Sequence, residues 1–494
     1  MDYNLVDQRV EFLGRNFEVF SLFKHIIDRC PSNYSFLLES IGDEDKPLYS
    51  FICLEPDYLL RVKGDRVEVE DIFNERGEAL FAEMGEIGSR TLVRATVDDR
   101  VENRIEALNI LAKRIPQVKL ARPDIFPRQV FYGGYLGYLA YDIVAPWVGF
   151  TSRAETPDLL LGLHSRVIVY DHKRGELFYI DNAVDGRWDD AREIRGALSS
   201  YKRHRDETQS AVGLSAVSFK SNTSRDEFSG MVEKAKGYIL EGDIFQVVLS
   251  RKVSRRVDAS GLDIYGQLRR LNPSPYMYYL NFGELCLVGS SPEALVSLNG
   301  QEITTVPIAG TRRRGRSYED EAIMERELLT DPKERAEHVM LVDLARNDTS
   351  KVSEPGTVRT VGLMTLKKYR HVMHLTTSVQ GVLRRGLTSI DVLKCVFPAG
   401  TVTGAPKLRA MEIIEELEKE SRGIYAGGVG YIAFNSDMDW AITIRTIELL
   451  RREASVQAGA GIVADSQPRL EWIETENKMQ SMLRAITMAE EAMS

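Results

Sequence analysis

The chain predicts an α+β fold with antiparallel sheets rather than alternating βαβ units. Three observations carry this: strand-like runs dominate, neighbouring runs are joined by short turns, and helical periodicity comes in long separate blocks. In order, Phe12 to Cys30 has the spacing of a short amphipathic helix, and after Pro31 the run YSFLLESIG reads as a strand ending in Glu39 and Ser40. A charge buried there needs a partner. LYSFICLEP and DYLLRVKGDRVEVED read as strands joined by turn residues, Val101 to Arg114 as a helix, and QVFYGGYLGYLAYD as a Gly-rich strand pair. LLLGLHSRVIVYD and ELFYIDN close this half. Arg192 to Lys220 contains a helix-like piece and then small, polar sequence through TQSAVGLSAVSFKSNTS, the best linker candidate, and the expected domains are 1–215 and 223–494.

In the second half, Ser224 and Glu227 form a capping box for a helix running to Gly242. The strand FQVVLSRKV places Gln246, Val248 and Ser250 on one face. PYMYYLNF, LCLVGSS, ALVSLNG and EITTVPIAG are further strands. In DPKERAEHVMLVDLARND, Asp331 caps a helix, Pro332 takes its first position, and Glu334 and Glu337 share a face. FPAGTVTGAPKLRAMEIIEELE is a Gly-rich loop entering a helix at Pro406. Its Lys407 lacks P-loop spacing, so a carboxylate-binding loop is expected instead of a nucleotide site. GVGYI, AITIRT and AGAGIVADS supply strands carrying Arg445, Gly459 and Gly461. The last helix contains RLEWIETENK, with Asp465 or Ser466 as its cap and Pro468 in its first turn. Glu471 and Glu474 share a face, and Lys478 follows one turn later.

Bulk properties narrow the function. With 494 residues and 43% hydrophobic content the chain buries a large core, and a net charge of −9 without a basic run argues against a nucleic-acid partner. No apolar run is long enough to span a membrane and the N-terminus lacks a signal pattern, so a cytoplasmic protein is expected. The four cysteines, Cys30, Cys53, Cys286 and Cys395, are scattered and read as buried thiols, not as disulfides or a zinc site.

Several polar groups exceed what a fold needs. Four carboxylates paired on two helices suggest a divalent cation, and all-oxygen ligands favour Mg²⁺. Glu293 in GSSPEALV sits just past a strand and a proline, as a carboxylic acid at a sheet edge. Arg312 to Arg314 could be a solvated loop. His371 and His374 are three apart in a strand, so they cannot both ligate one ion and at most one points inward. Arg445 is suited to fork a carboxylate. Together these describe a site for a small polycarboxylate, and a lyase, isomerase or transferase.

DPKERAEHVMLVDLARND, FPAGTVTGAPK, AGAGIVADS and EWIETENK resemble the chorismate-utilising enzymes, and LLES with NPSPYM narrows the resemblance to their anthranilate synthase component I (large-subunit) branch. That resemblance implies two stacked antiparallel β-sheets flanked by helices, chorismate as substrate, and Mg²⁺ held by Glu334, Glu337, Glu471 and Glu474 with Lys478 in support. It implies that Thr401, Tyr425, Arg445, Gly459 and Gly461 bind the substrate's carboxylates. Glu293 resembles the general acid at the C4 hydroxyl, and His374 the histidine needed to eliminate pyruvate from aminodeoxyisochorismate. Water-adding relatives carry lysine where this chain has Gln246, and relatives that aminate at C4 carry lysine at Ala309. The implied lyase makes anthranilate, the first step of tryptophan biosynthesis, with ammonia from a glutamine amidotransferase subunit (component II), because no cysteine here sits in a nucleophile elbow. Tryptophan is the implied feedback inhibitor, in a pocket of Glu39, Ser40, Pro275, Tyr276, Met277, Gly430 and Tyr431, where its α-amino group would neutralise Glu39. The alternatives are a 4-amino-4-deoxychorismate synthase component I and a non-catalytic tryptophan-sensing paralogue.

Overall fold

The computed structural model describes residues 7–40, 49–64, 66–71, 93–94, 125–126, 129–183, 191–202, 218–369 and 372–493. Two large antiparallel sheets form its centre. The first runs through Gln8–Arg15, Glu176–Asn182, Arg166–Asp171, Tyr49–Cys53, Tyr34–Glu39, Tyr276–Phe282, Leu285–Ser291, Thr446–Leu450, Glu453–Ile462, Gln246–Arg256 and Lys220–Ser221. The second runs through Ile308–Arg313, Val372–Val382, Glu302–Thr305, Ala294–Asn299, Met438–Ile442, Gly428–Ala433, Gly134–Leu139, Leu159–His164, Tyr58–Lys63, Arg66–Asp71 and Val93–Arg94. Each sheet joins strands from both sides of the linker: Tyr34–Glu39 pairs with Tyr276–Phe282, and Gly134–Leu139 with Gly428–Ala433.

Strand alternation builds the layers. Phe36 points between the sheets, into a core with Leu280, Leu287, Leu136, Leu160 and Tyr431, while its neighbour Leu37 points outward. There Leu37, Val288, Ile447 and Val456 meet the helices Val19–Arg29, Gly261–Leu271 and Pro468–Glu491 through Phe23, Leu268 and Met482. The outer face of the second sheet, with Tyr58, Leu161 and Trp440, is covered by the helix Ser389–Val396 through Val392 and Val396. Strands covered on both faces explain why the buried runs read as continuously apolar.

Of the places where the chain crosses between the sheets, two lie side by side. Ser291, Pro292 and Glu293 lead from Leu285–Ser291 to Ala294–Asn299, and Thr443 to Arg445 lead from Met438–Ile442 to Thr446–Leu450. Backbone bonds tie the crossings together: Ile442 N–H donates to the Glu293 carbonyl at 3.0 Å and Ser290 N–H to the Arg445 carbonyl at 3.1 Å. Arg445 takes a left-handed φ of 52° there.

Several local expectations needed correction. Phe12 to Arg15 belong to the edge strand Gln8–Arg15, and the helix begins only at Val19, capped by Glu18, which accepts from Ser21 N–H at 2.6 Å. QVFYGGYLGYLAYD contributes one strand, Gly134–Leu139, and then turns into a short 3₁₀ helix at Tyr141–Val144. The final helix is preceded by Gln467 without a side-chain cap; the Ser466 hydroxyl instead accepts from Val463 N–H. Cys53 and Cys286 are buried, but Cys30 and Cys395 are only partly so. The helix expected at Val101 to Arg114 lies outside the described residues, as does His371. The capping box at Ser224 and Glu227, the Gly242 stop and the Asp331–Pro332 helix start are present as expected. Among the described residues, no helix is long and apolar enough to cross a membrane.

Candidate active site

The site lies where the two crossings face the helices Pro332–Val352 and Pro468–Glu491. Glu293 is 8% exposed, and burial raises its carboxyl to a pKa of about 8, with the Thr401 hydroxyl and Lys478 pulling the other way. A carboxylic acid at that value is largely protonated at neutral pH and has a proton to give. The Thr401 hydroxyl is itself buried with no well-aligned partner among the described residues. Arg445 donates to the Lys478 carbonyl at 2.9 Å, and burial lowers its pKa. No described carboxylate lies within ion-pair distance of it, so it is a desolvated guanidinium suited to an incoming carboxylate.

His374 sits on Val372–Val382 with Nδ1 3.0 Å from the Gly310 carbonyl and 3.0 Å from the Thr311 hydroxyl. A carbonyl only accepts, so Nδ1 carries the hydrogen and Nε2 keeps its lone pair. Burial lowers the pKa of this imidazole; the Gly310 bond raises it and Arg445 lowers it further, which leaves it neutral. Gly310 is itself required, at φ 67°, because a Cβ there would meet Glu334 at 3.0 Å and Leu328 at 2.7 Å.

Gly459 and Gly461 line one face of Glu453–Ile462. A Cβ at Gly459 would stand 2.8 Å from the Tyr425 hydroxyl, and one at Gly461 2.5 Å from the Gln246 amide. Tyr425 is braced by Arg422, whose guanidinium lies 5.6 Å from its ring and pairs with Glu418 at 2.7 Å. Lys478 reaches the Gly459 carbonyl at 2.9 Å and Glu474 at 2.6 Å.

The four metal-candidate carboxylates are brought to one region but stand engaged with other groups. Glu334 pairs with Arg312 at 3.0 Å, Glu474 with Lys478, and Glu337 accepts from Gln246 at 3.3 Å. Burial raises Glu337, and Glu334 and Glu474 raise it further; burial also raises Glu471, as does Glu474. Among the described residues no three acidic, histidine or cysteine side chains converge closely enough to hold an ion in this conformation. The donor set nonetheless fits a hard divalent cation: like-charged carboxylates raising one another are relieved by a cation, and their present contacts are single ones.

The Gly-rich loop serves the fold more than a ligand. Gly404 and Ala405 pair with Val247 and Gln246, and a Cβ on Gly404 would meet the Gln246 carbonyl at 2.1 Å. Lys407 is tied to Asp348 at 2.6 Å. The three arginines are not a solvated loop: Arg312 bridges Asp331 and Glu334, Arg313 meets Asp320, and Arg314 meets Glu321. Sequence reading missed Arg312 as a neighbour of the site; its strand position facing the start of the Pro332 helix was the available signal.

A cavity lies between the sheets. Glu39, Ser40, Pro275, Tyr276, Met277, Gly430 and Tyr431 all line one cavity of about 350 Å³. The expectation that Glu39 needs a ligand amine is overturned. Arg269 grips it twice, at 2.8 and 3.1 Å, and the Tyr265 hydroxyl donates to it at 2.6 Å.

A family model described as "chorismate binding enzyme" matches residues 72–484. A relative from Aquifex aeolicus (strain VF5), anthranilate synthase component 1, is 41% identical over 99% of this chain and 96% of its own length. The chain belongs to the anthranilate synthase component I branch of the chorismate-binding enzymes. The component 1 protein of Thermococcus kodakarensis is also 41% identical, over 92% of this chain and 94% of the relative. The crystal structure of anthranilate synthase component I from Streptococcus pneumoniae TIGR4 superposes with a TM-score of 0.73 at 34% identity, covering 90% of this chain and 93% of that one. MenF, the menaquinone-specific isochorismate synthase of Escherichia coli, shares the fold at 17% identity with a TM-score of 0.68, covering 98% and 95%. Membership of this branch gives the site an expected substrate, while the part each residue plays rests on the geometry above.

Proposed function

We propose that this chain converts chorismate and ammonia to anthranilate and pyruvate, through aminodeoxyisochorismate, as the first step of tryptophan biosynthesis in the cytoplasm. The observation that carries the reading is the buried Glu293, whose carboxyl burial pushes up to about 8, facing the buried Thr401 hydroxyl, with Arg445 held without a described carboxylate partner on the neighbouring crossing. Arg445, with Tyr425 and the backbone at Gly459 and Gly461, binds the substrate's carboxylates. Glu334, Glu337, Glu471 and Glu474 would hold Mg²⁺, which when bound supplies positive charge for the ring carboxylate.

Ammonia forms the new C–N bond at C2 while Glu293 gives its proton to the departing C4 hydroxyl, which leaves as water. Gln246, an amide that cannot act as a base, leaves water unactivated as a competing nucleophile. In the second step Nε2 of His374 takes the proton from C2 as the C3–O bond breaks, leaving an aromatic ring and the enolate of pyruvate, which becomes pyruvate by taking a proton on its methylene carbon from the imidazolium or from water. Ala309 offers no amine for a covalent link to the ring, which disfavours the C4-aminating alternative.

Ammonia comes from a glutamine amidotransferase subunit. No cysteine here is activated: burial raises the thiol pKa of all four, that of Cys286 to about 12. Tryptophan is the proposed occupant of the inter-sheet cavity, seated by its apolar walls, with Glu39 as a fixed wall group and not its counter-charge. The test is the purified chain with chorismate, Mg²⁺ and ammonium, followed by anthranilate fluorescence. Anthranilate should form with ammonium and not with glutamine until the second subunit is added. A C4-aminated product would move the chain to the alternative branch.

A further inference from the structure

The cavity between the sheets and the acid Glu293 share one piece of backbone. Tyr276 lines the cavity and stands directly opposite Ser291 in the antiparallel pair. Across the cavity Ala441 lines the other wall, and the next residue, Ile442, donates its N–H to the Glu293 carbonyl. Ser291, fully buried, closes the circuit: its hydroxyl donates to the Ile442 carbonyl at 2.7 Å and lies 3.4 Å from the Glu293 N–H. Among the described residues this is the one side-chain hydrogen bond between the crossing that carries Glu293 and Ile442, where the Arg445 crossing begins.

We propose that Ser291 is a positioning residue for Glu293 and the joint through which occupancy of the inter-sheet cavity reaches the catalytic acid. Its hydroxyl sets the spacing between the two crossings. A ligand wedged between Tyr276 and Ala441 bears on both sides of that joint, so the acid and Arg445 are displaced together while the four carboxylates on the helices are not touched. The second half of this inference rests on the proposed tryptophan site; the first half does not.

Ser291→Ala removes the hydroxyl and leaves the shape. Steady-state kinetics with ammonium should show kcat reduced about 10-fold, the loss of one well-placed bond, with KM for chorismate within about 2-fold. The alkaline limb of the kcat profile should shift, because Glu293 then sits differently with respect to the groups that face it, Thr401 and Lys478 on one side and Asp348 across the small adjoining cavity. Ser291→Thr, which keeps the hydroxyl, should restore most of kcat. In the same Ser291→Ala protein, tryptophan measured by calorimetry should bind as to wild type while its maximal inhibition falls. Hydrogen exchange of the wild-type chain, which needs no variant, should show tryptophan altering protection in 289–295 and 440–446. Wild-type kcat and an unshifted profile in Ser291→Ala would overturn the positioning role. Full inhibition in that variant, or exchange unchanged in both segments while tryptophan binds, would overturn the joint. Absence of tryptophan binding to wild type would instead remove the occupant and leave the kinetic test of Ser291 standing.

Discussion

In the inter-sheet cavity Glu39 is held by two bonds from Arg269 and one from Tyr265, whereas in the catalytic cleft Glu474 leans on a partly exposed Lys478 and Glu337 on one long amide contact. The first is a buried, multiply bonded pair, costly to break because breaking it leaves a charge in a dry place. The second kind is a set of single contacts that a divalent cation can replace. The cavity is therefore built before its ligand arrives, while the cleft is completed by what binds there. The difference teaches how to read a glutamate: what matters is how many donors it has and how dry they are, and not whether it has a partner.

The comparison yields predictions in descending order of effect. Glu337→Gln or Glu474→Gln should reduce anthranilate formation by at least ~10³-fold, since each removes charge that Mg²⁺ needs, and Mg²⁺ titration should no longer reach saturation. Retained activity with an unchanged Mg²⁺ requirement would assign the cation elsewhere. Glu293→Gln should cost ~10²–10⁴-fold in kcat. In the wild type, free ammonia rises with pH, but the Glu293 proton is lost as pH rises through about 8, so activity should climb and then fall above that value. A profile that keeps climbing would show that the acid is another group. His374→Met should spare amination and block elimination, so that aminodeoxyisochorismate accumulates and is detected by chromatography; recovery of unreacted chorismate would place the histidine in the first step. Ser40→Phe, at the cavity wall, should leave kcat within about 2-fold and weaken tryptophan inhibition by ~10-fold or more; equal inhibition of both proteins would move the regulatory site.

Much of this was legible in the sequence, and what was not has physical reasons. Capping chemistry located the helices at Ser224 and Asp331 because it is local, and four i, i+3 glutamates marked two faces of one cleft. Gln467 could not be foreseen as a helix start, since Ser466 was taken by a turn with Val463. The partner of Glu39 was illegible because Arg269 lies 230 residues away and only the pairing of Tyr34–Glu39 with Tyr276–Phe282 brings its helix near. The same holds for Ser291, an unremarked serine in GSSPEALV whose meaning depends on the second crossing lying beside the first.

The central difference between a cavity built in advance and a cleft completed on binding is tested most directly by calorimetry on the unliganded chain without ammonium. Tryptophan and Mg²⁺ are each titrated in the presence and absence of chorismate. The account predicts that tryptophan binds with neither Mg²⁺ nor chorismate present, and that chorismate raises Mg²⁺ affinity by ~10-fold or more, a coupling of the usual size between linked sites. Tryptophan binding that requires Mg²⁺, or Mg²⁺ binding indifferent to chorismate, would contradict it.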